Sequence, residues 1–188
     1  MQVFSSRFGK GITLLVWVVL SLALVQVIVE LGFWGASRSL PAAALISYLC
    51  WLVFYRPRVE FESDLVRLIN IFQSVEIPFA AIKRVDTRWA LEIHTDSGKH
   101  VAWGAPAPGR HTALFASKDQ GEHLPESSYV IGTVRPGDLI NTDSGAAAAY
   151  LRRELEKVEF EGGEVRKSVN KTSILVLVIL VLLTAITL

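Results

Sequence analysis

Three long apolar blocks constrain this chain of 188 residues more than any other feature. The first runs from about Ile12 to Gly32, and Glu30 is its only charge. About 20 apolar residues, rising ~1.5 Å each, cover the ~30 Å hydrocarbon core of a bilayer. Arg7 and Lys10 ahead of it resemble the positive region of a signal peptide. A signal peptide's apolar stretch is only about 7–15 residues, however, and no small-x-small cleavage pattern precedes the next block. The block therefore reads as an uncleaved span. The second block, Leu40–Tyr55, carries Pro41 in its first turn, where proline is tolerated. It is short, so part of Gly35–Ser39 is expected to extend the span to about 38–55. The tight linker Phe33–Ser39 makes the two spans an antiparallel hairpin; a re-entrant helical segment is the alternative. The third block, Thr172–Leu188, is nearly all Ile, Leu and Val and at about 17 residues just spans.

Lys and Arg near span ends set orientation. Arg7 and Lys10 precede the first span, Arg56 and Arg58 follow the second, and Arg166, Lys167 and Lys171 precede the third. Only Arg38 lies on the other side. The expectation is a multi-pass plasma-membrane protein with its N-terminus and middle domain cytoplasmic and its C-terminus outside. Trp51, Phe54 and Tyr55 would form the inner aromatic belt, Phe33 and Trp34 the outer.

The chain is 51% hydrophobic, above an ordinary soluble domain, because of these blocks. A net charge of +1 gives no support to nucleic-acid binding. Cys50, the one cysteine, lies in an apolar block, which excludes an intramolecular disulfide and a cysteine zinc cluster. There is no phosphate-binding Gly-rich loop, dinucleotide fingerprint or His-Glu-x-x-His motif. The expectation is no enzyme, no cofactor and no metal.

The middle segment, 56–161, is nearly neutral: all but three of the 19 Lys and Arg, and all but one of the 18 Asp and Glu, fall between 56 and 171. It reads as strands at Arg58–Glu62, Leu65–Phe72 and Ile82–Thr87, with Val59 and Phe61 sharing a face, Ser63-Asp64 turning and Ile77-Pro78 breaking the pattern. Trp89–His94 and His100–Trp103 alternate as a hairpin. An odd-numbered loop around Asp96-Ser97-Gly98 would pair Ile93 with Val101 and Leu91 with Trp103, with Gly98 near the left-handed region. A long loop, 105–143, is expected to hold a short strand at Ser128–Thr133. Asp143 or Ser144 then caps a helix from about Gly145 to Glu161, supported by Arg152 and Arg153 pairing with Glu156. Residues 162–171 link it to the third block.

Arg56-Pro57-Arg58-Val59, Ile77-Pro78-Phe79-Ala80-Ala81-Ile82, the Leu91–Trp103 hairpin and Ala105-Pro106-Ala107-Pro108-Gly109-Arg110 occur in that order after two spans. With Val134-Arg135-Pro136-Gly137-Asp138 and Asp143-Ser144-Gly145-Ala146-Ala147, they resemble the bacterial PH-like domain of small actinobacterial membrane proteins, over roughly residues 40–150. Leu65 and Phe79 stand where that family often has Gly and Trp. The resemblance implies a PH-like antiparallel β-barrel or roll with a C-terminal helix, so the fold class is three membrane-spanning helices plus a small α+β domain.

The chemical candidates are few. Glu92, His94 and His100 form a metal-ligand set if they share a face; exposed polar residues on a sheet is the plainer reading. Asp-Ser-Gly at 96–98 and 143–145 lacks the nucleophile-elbow context and reads as a turn and a helix cap. Glu30 is a candidate for an intramembrane partner contact, against simple solvation near the interface. Arg56, Arg58, Arg166, Lys167 and Lys171 are candidate membrane-surface or lipid contacts, or only topology determinants. Two functions are expected. One is a non-catalytic accessory or scaffold subunit of a larger membrane complex; by analogy with the resembled family, an actinobacterial respiratory bc–oxidase supercomplex is the host. The other is a membrane-anchored module binding lipid headgroups or a peptide, for which Lys83, Arg84 and Arg88, interrupted by Asp86, are the nearest basic cluster.

Overall fold

The computed structural model describes residues 1–108, 129–130, 133–134, 136–158 and 162–187, with 129, 130, 133, 134 and 136 by backbone only. The chain divides into two units: Met1–Ser6 with Pro57–Ser168, and Arg7–Arg56 with Val169–Leu188.

The first unit is antiparallel β-structure with one helix. Its larger sheet holds β1 (Gln2–Phe4), β2 (Arg58–Phe61), β3 (Leu65–Ile69), β4 (Gln73–Pro78) and β10 (Arg166–Val169), in the order β1-β2-β3-β4-β10. The smaller holds β5 (Arg84–Asp86), β6 (Ala90–Thr95) and β7 (Gly98–Pro106). A two-stranded ladder joins β8 (Tyr129–Val130) and β9 (Thr133–Val134). Period-2 patterning puts Val59, Phe61, Val66, Leu68, Val75 and Ile77 of the larger sheet into one core with Leu91, Ile93 and Ala102 of the smaller. Ala147, Ala148 and Leu151 of helix α3 (Asp143–Leu155) close that core. Small alanines let the helix axis approach the sheets.

Several expectations change here. Three strands were not expected: β1, β4 and β10. The second expected strand stops at Ile69, because Asn70 donates its N–H to Gln73 O (2.9 Å) and turns the chain into β4. Pro78 ends β4 without breaking it. The residues expected to be a third strand from Ile82 form only Arg84–Asp86. In the β6–β7 hairpin Thr95 pairs with Gly98 around the two-residue loop Asp96-Ser97, so Ile93 opposes His100 and Leu91 opposes Ala102. A register shift at Ala90/Leu91 absorbs the difference, and Gly98 sits at φ 116°. Trp103 is consequently exposed rather than paired inward with Leu91.

Helix α3 is capped by Thr142, whose extended backbone (φ −101°, ψ 154°) lets its hydroxyl accept from Gly145 N at 3.1 Å. Asp143 and Ser144 lie inside the first turn. The helix ends at Leu155, earlier than expected, in a turn over Glu156 and Lys157; residues 159–161 lie outside the described residues. Arg152 reaches Asp138 rather than Glu156. Most of the expected long loop, with His111 and His123, also lies outside the described residues, as do Ser128 and 131–132 of the short strand.

The second unit is helical. Helix α1 (Arg7–Ala36) is interrupted at Gly32 (φ 70°, ψ 171°). A 3-10 turn (Ser37–Ser39) leads into α2 (Leu40–Cys50), which continues as a π turn through Tyr55. The run Arg7–Tyr55 is long and apolar enough to cross a membrane, and α4 (Lys171–Thr187) is a shorter apolar helix. α1 and α2 pack antiparallel. The Thr13 hydroxyl lies 3.5 Å from Cys50 O, Trp17 Nε1 donates to Ser47 O (3.4 Å), and a Cβ on Gly9 would stand 2.5 Å from Phe54 O. Tyr48 donates to Ser173 O of α4 at 3.1 Å.

Candidate functional site

The expected metal set does not assemble. Cross-strand neighbours share a face, so His100 faces the side of Ile93 and Ala102, while His94, opposite Lys99, faces the side of Glu92. His100 is buried, its Nε2 3.2 Å from Thr95 Oγ1 and 3.3 Å from Ser97 Oγ. Burial, helped by the charges of Lys167 and His94, holds its pKa below the ordinary value. Glu92 is paired with Lys99 (2.7 Å). Among the described residues no group of three His, Cys, Asp or Glu side chains is placed to hold a metal.

The Pro136-Gly137-Asp138 and Asp143-Ser144-Gly145 words hold the domain together. Asp138 is 3% exposed, accepts from the Thr87 hydroxyl at 2.7 Å and pairs with Arg152 at 3.1 Å. Ser144 donates to Gly137 O (2.8 Å), and a Cβ on Gly145 would stand 2.0 Å from Leu139 O. These bonds pin the start of α3 to the segment before β6 and consume the Asp138 and Ser144 side chains structurally.

On the outer face of the larger sheet the in-register row Glu60–Arg67–Glu76 forms an ion-pair ladder. Arg67 bonds Glu76 (2.9 Å) and Glu62 (3.0 Å) and lies 3.6 Å from the buried Glu60. Desolvation opposes the charge on Arg67, but the Glu76 hydrogen bond and the three carboxylates outweigh it and raise its pKa.

The expected basic residues spread over both units. In the β-unit, Arg58 on β2 is paired with Glu60 (2.7 Å), while Arg166 and Lys167 are exposed on β10. β3 and β4 lie between these strands, so the cations stand at opposite sides of the sheet, about 15 Å apart at the usual ~4.8 Å strand spacing. In the helical unit, Arg56 follows the π turn and Lys171 opens α4. Glu30 is exposed near the end of α1 and accepts from Gln26 Nε2 of its own helix at 3.1 Å. Lys83 is ion-paired with Asp96, Arg84 lies 3.4 Å from His94 Nε2, and Arg88 lies over the Trp89 ring (5.9 Å). The three cations are thus already engaged.

The clearest directional feature of the β-unit is the end at which its chain leaves. Phe4 pairs with Val59, Arg58 with Ile69, and Ile69 with Ser74, while Ser168 Oγ donates to Ser74 O at 3.4 Å. Ser6, Pro57 and Ser168, the three points at which the chain leaves or enters the unit, therefore lie along one edge. β7 crosses this edge. Asn70 Nδ2 donates to Val101 O (2.9 Å) and its Oδ1 accepts from Trp103 N (3.0 Å), and a Cβ on Gly104 would strike Pro57 and Arg58 at 2.4–2.6 Å. Phe72, in the β3–β4 turn, and Trp103 are exposed here, at 47% and 57%. Sequence patterning missed this pair because both were assigned to strands with an inward face.

Each unit also has a large concave feature. A cleft of about 940 Å³ in the β-unit is lined by Ala80, Ala81, Lys83, Thr95, Asp96 and Glu164 among others. Its wall carries the Lys83–Asp96 ion pair and the Thr95 and Ser97 hydroxyls that contact His100 Nε2. A groove of about 700 Å³ in the helical unit runs between Trp17, Leu24, Ala44, Tyr48, Trp51 and Leu180. No family model, curated protein or solved structure matches the chain.

Proposed function

We propose that the protein is a non-catalytic accessory or scaffold subunit of a larger membrane complex. In this reading three helical spans hold a PH-like domain at the cytoplasmic face of the plasma membrane. The observation that carries it is the outward apolar surface of the helical unit. Leu14, Leu15, Val18, Val19, Leu22 and Val25 of α1, and Leu175, Val178, Ile179 and Leu182 of α4, are exposed. Such a surface needs lipid or protein against it.

Chain connectivity supports the topology. The antiparallel α1–α2 pair returns the chain to its starting side, and β1 is hydrogen-bonded into the same sheet as β2. The N-terminus and the β-unit then share one side, the one rich in Lys and Arg, which is inside by the positive-inside rule. Two antiparallel sheets closed by a C-terminal helix support the PH-like reading. Respiratory bc–oxidase assemblies of actinobacteria are the host suggested by the resemblance, which is an argument from analogy. The headgroup- or peptide-binding alternative is weaker, because Lys83, Arg84 and Arg88 each have a partner.

Purification through an affinity tag in mild detergent tests this directly. The expected result is a stoichiometric set of integral membrane subunits that stays with the protein through size exclusion. Recovery of this chain alone overturns the subunit reading.

A further inference from the structure

We propose that the exit end of the β-unit seats in the lipid headgroup layer through Phe72 and Trp103. The inference rests on the membrane-embedded reading of the helices. It adds a direct lipid contact by the domain that the helices alone do not require.

Val3, Trp89 and Ile140 of this unit are exposed as well, but what sets Phe72 and Trp103 apart is their place: both face outward at the edge holding Ser6, Pro57 and Ser168. Neither can turn back into the core. Phe72 sits in a turn fixed by the Asn70 N to Gln73 O bond, and Trp103 follows a backbone pinned to the Asn70 side chain. Indole and phenyl rings are at home at a water–hydrocarbon boundary, where an apolar body and, for Trp, an N–H donor are both accommodated.

The short chain connections at this edge favour lipid over a protein partner as the occupant. Two residues separate β1 from α1, two separate the π turn from β2, and one separates β10 from α4. Connections this short leave no length for the edge to stand clear of the layer in which the helices begin. Arg56 lies in one of these connections and Arg7, Lys10, Arg58, Lys167 and Lys171 lie within four residues of one, a charge complementary to anionic headgroups.

The test uses the full chain reconstituted in vesicles of phosphatidylcholine and phosphatidylglycerol brominated at shallow or deep acyl positions. One variant keeps only Trp103 (W17F/W34F/W51F/W89F), one keeps only Trp17, and one carries D64W as the sole indole. Asp64 lies in the β2–β3 turn, at the opposite end of these strands. The expected result is deep-bromine quenching of Trp17 and quenching of Trp103 by shallow bromine at least twofold stronger than that of the D64W reporter. Quenching of Trp17 without quenching of Trp103, or equal quenching of Trp103 and D64W, overturns the docking contact and leaves the membrane reading intact. No quenching of Trp17 overturns both. A second readout keeps every Trp in place: F72C and D64C, each in a C50A background, are labelled with a polarity-sensitive dye. The dye at F72C is expected to shift to the blue on reconstitution and the dye at D64C to stay unchanged; matching responses overturn the proposal.

Discussion

In the β-unit most large apolar side chains point inward, and Val59, Phe61, Leu68, Ile77, Leu91 and Leu151 are at most 1% exposed. In the helical unit the pattern reverses. Leu14, Leu22, Val29, Leu175 and Leu182 are at least 57% exposed, while Gly9, Thr13, Cys50, Ser173 and Thr184 are buried. Water drives the first arrangement, since burial of apolar area is its main favourable term. The second suits a medium as apolar as leucine, in which helices associate through small residues that let backbones approach. Leu52, fully buried among the helices, is the exception. The two units thus carry opposite patterns of apolar exposure, although one continuous chain builds both.

The contrast can be broken most forcefully at Asp138. Asp138→Ala leaves Arg152 without its buried partner and the Thr87 hydroxyl without its acceptor, and should cost the β-unit about 3–5 kcal/mol. Urea unfolding of the detergent-solubilised chain, followed by hydrogen exchange at β6 amides, measures it. Matched leucine truncations come next. Leu151→Ala should cost about 2–5 kcal/mol in the same assay, whereas Leu182→Ala on the outer face of α4 should stay within about 0.5 kcal/mol. Equal losses would erase the inside-out distinction.

Thr13→Val is a smaller test inside the helical unit. The hydroxyl donates to Gly9 O (3.0 Å) and lies 3.5 Å from Cys50 O on the facing helix. Interhelical bonds of this kind average about 0.6 kcal/mol in a membrane, so a slight fall in thermal stability in detergent is expected, and a loss of folding would refute the packing described. The weakest expected effect is a pH slope in the β-unit. His100 resists protonation when folded, with its pKa below the ordinary 6.5. The unfolded chain therefore binds the proton first, and stability declines as pH falls from about 6.5 through the lower folded value. His100→Gln should flatten that slope in denaturation curves collected between pH 7.5 and 5.

The sequence made the long apolar run of the helical unit legible, because its composition leaves few other solutions. It also exposed the inward face of β2, where Val59 and Phe61 alternate. The missed β4 carried its own signal, with Val75 and Ile77 inward between Ser74 and Glu76, but Pro78 read as a break when it only ends the strand. β1 and β10 have no such signal; Gln2–Phe4 and Arg166–Val169 become strands only by pairing with edges formed elsewhere. The hairpin register turned on the two-residue Asp96-Ser97 loop that stands in place of the expected odd-numbered one, and with it went the positions of His94, His100 and Trp103. The edge bearing Phe72 and Trp103 was invisible for the same reason, since it is assembled from six strands and a turn.

The central claim is that the helical unit crosses a membrane and leaves the N-terminus and the β-unit on one side. Single cysteines introduced as Q2C, R38C and K157C in a C50A background, labelled with a membrane-impermeant maleimide, test it most directly. R38C is expected to react on intact cells, and Q2C and K157C only after the membrane is permeabilised. Labelling of R38C on the same side as Q2C, or release of the protein from membranes by alkaline carbonate, would contradict it.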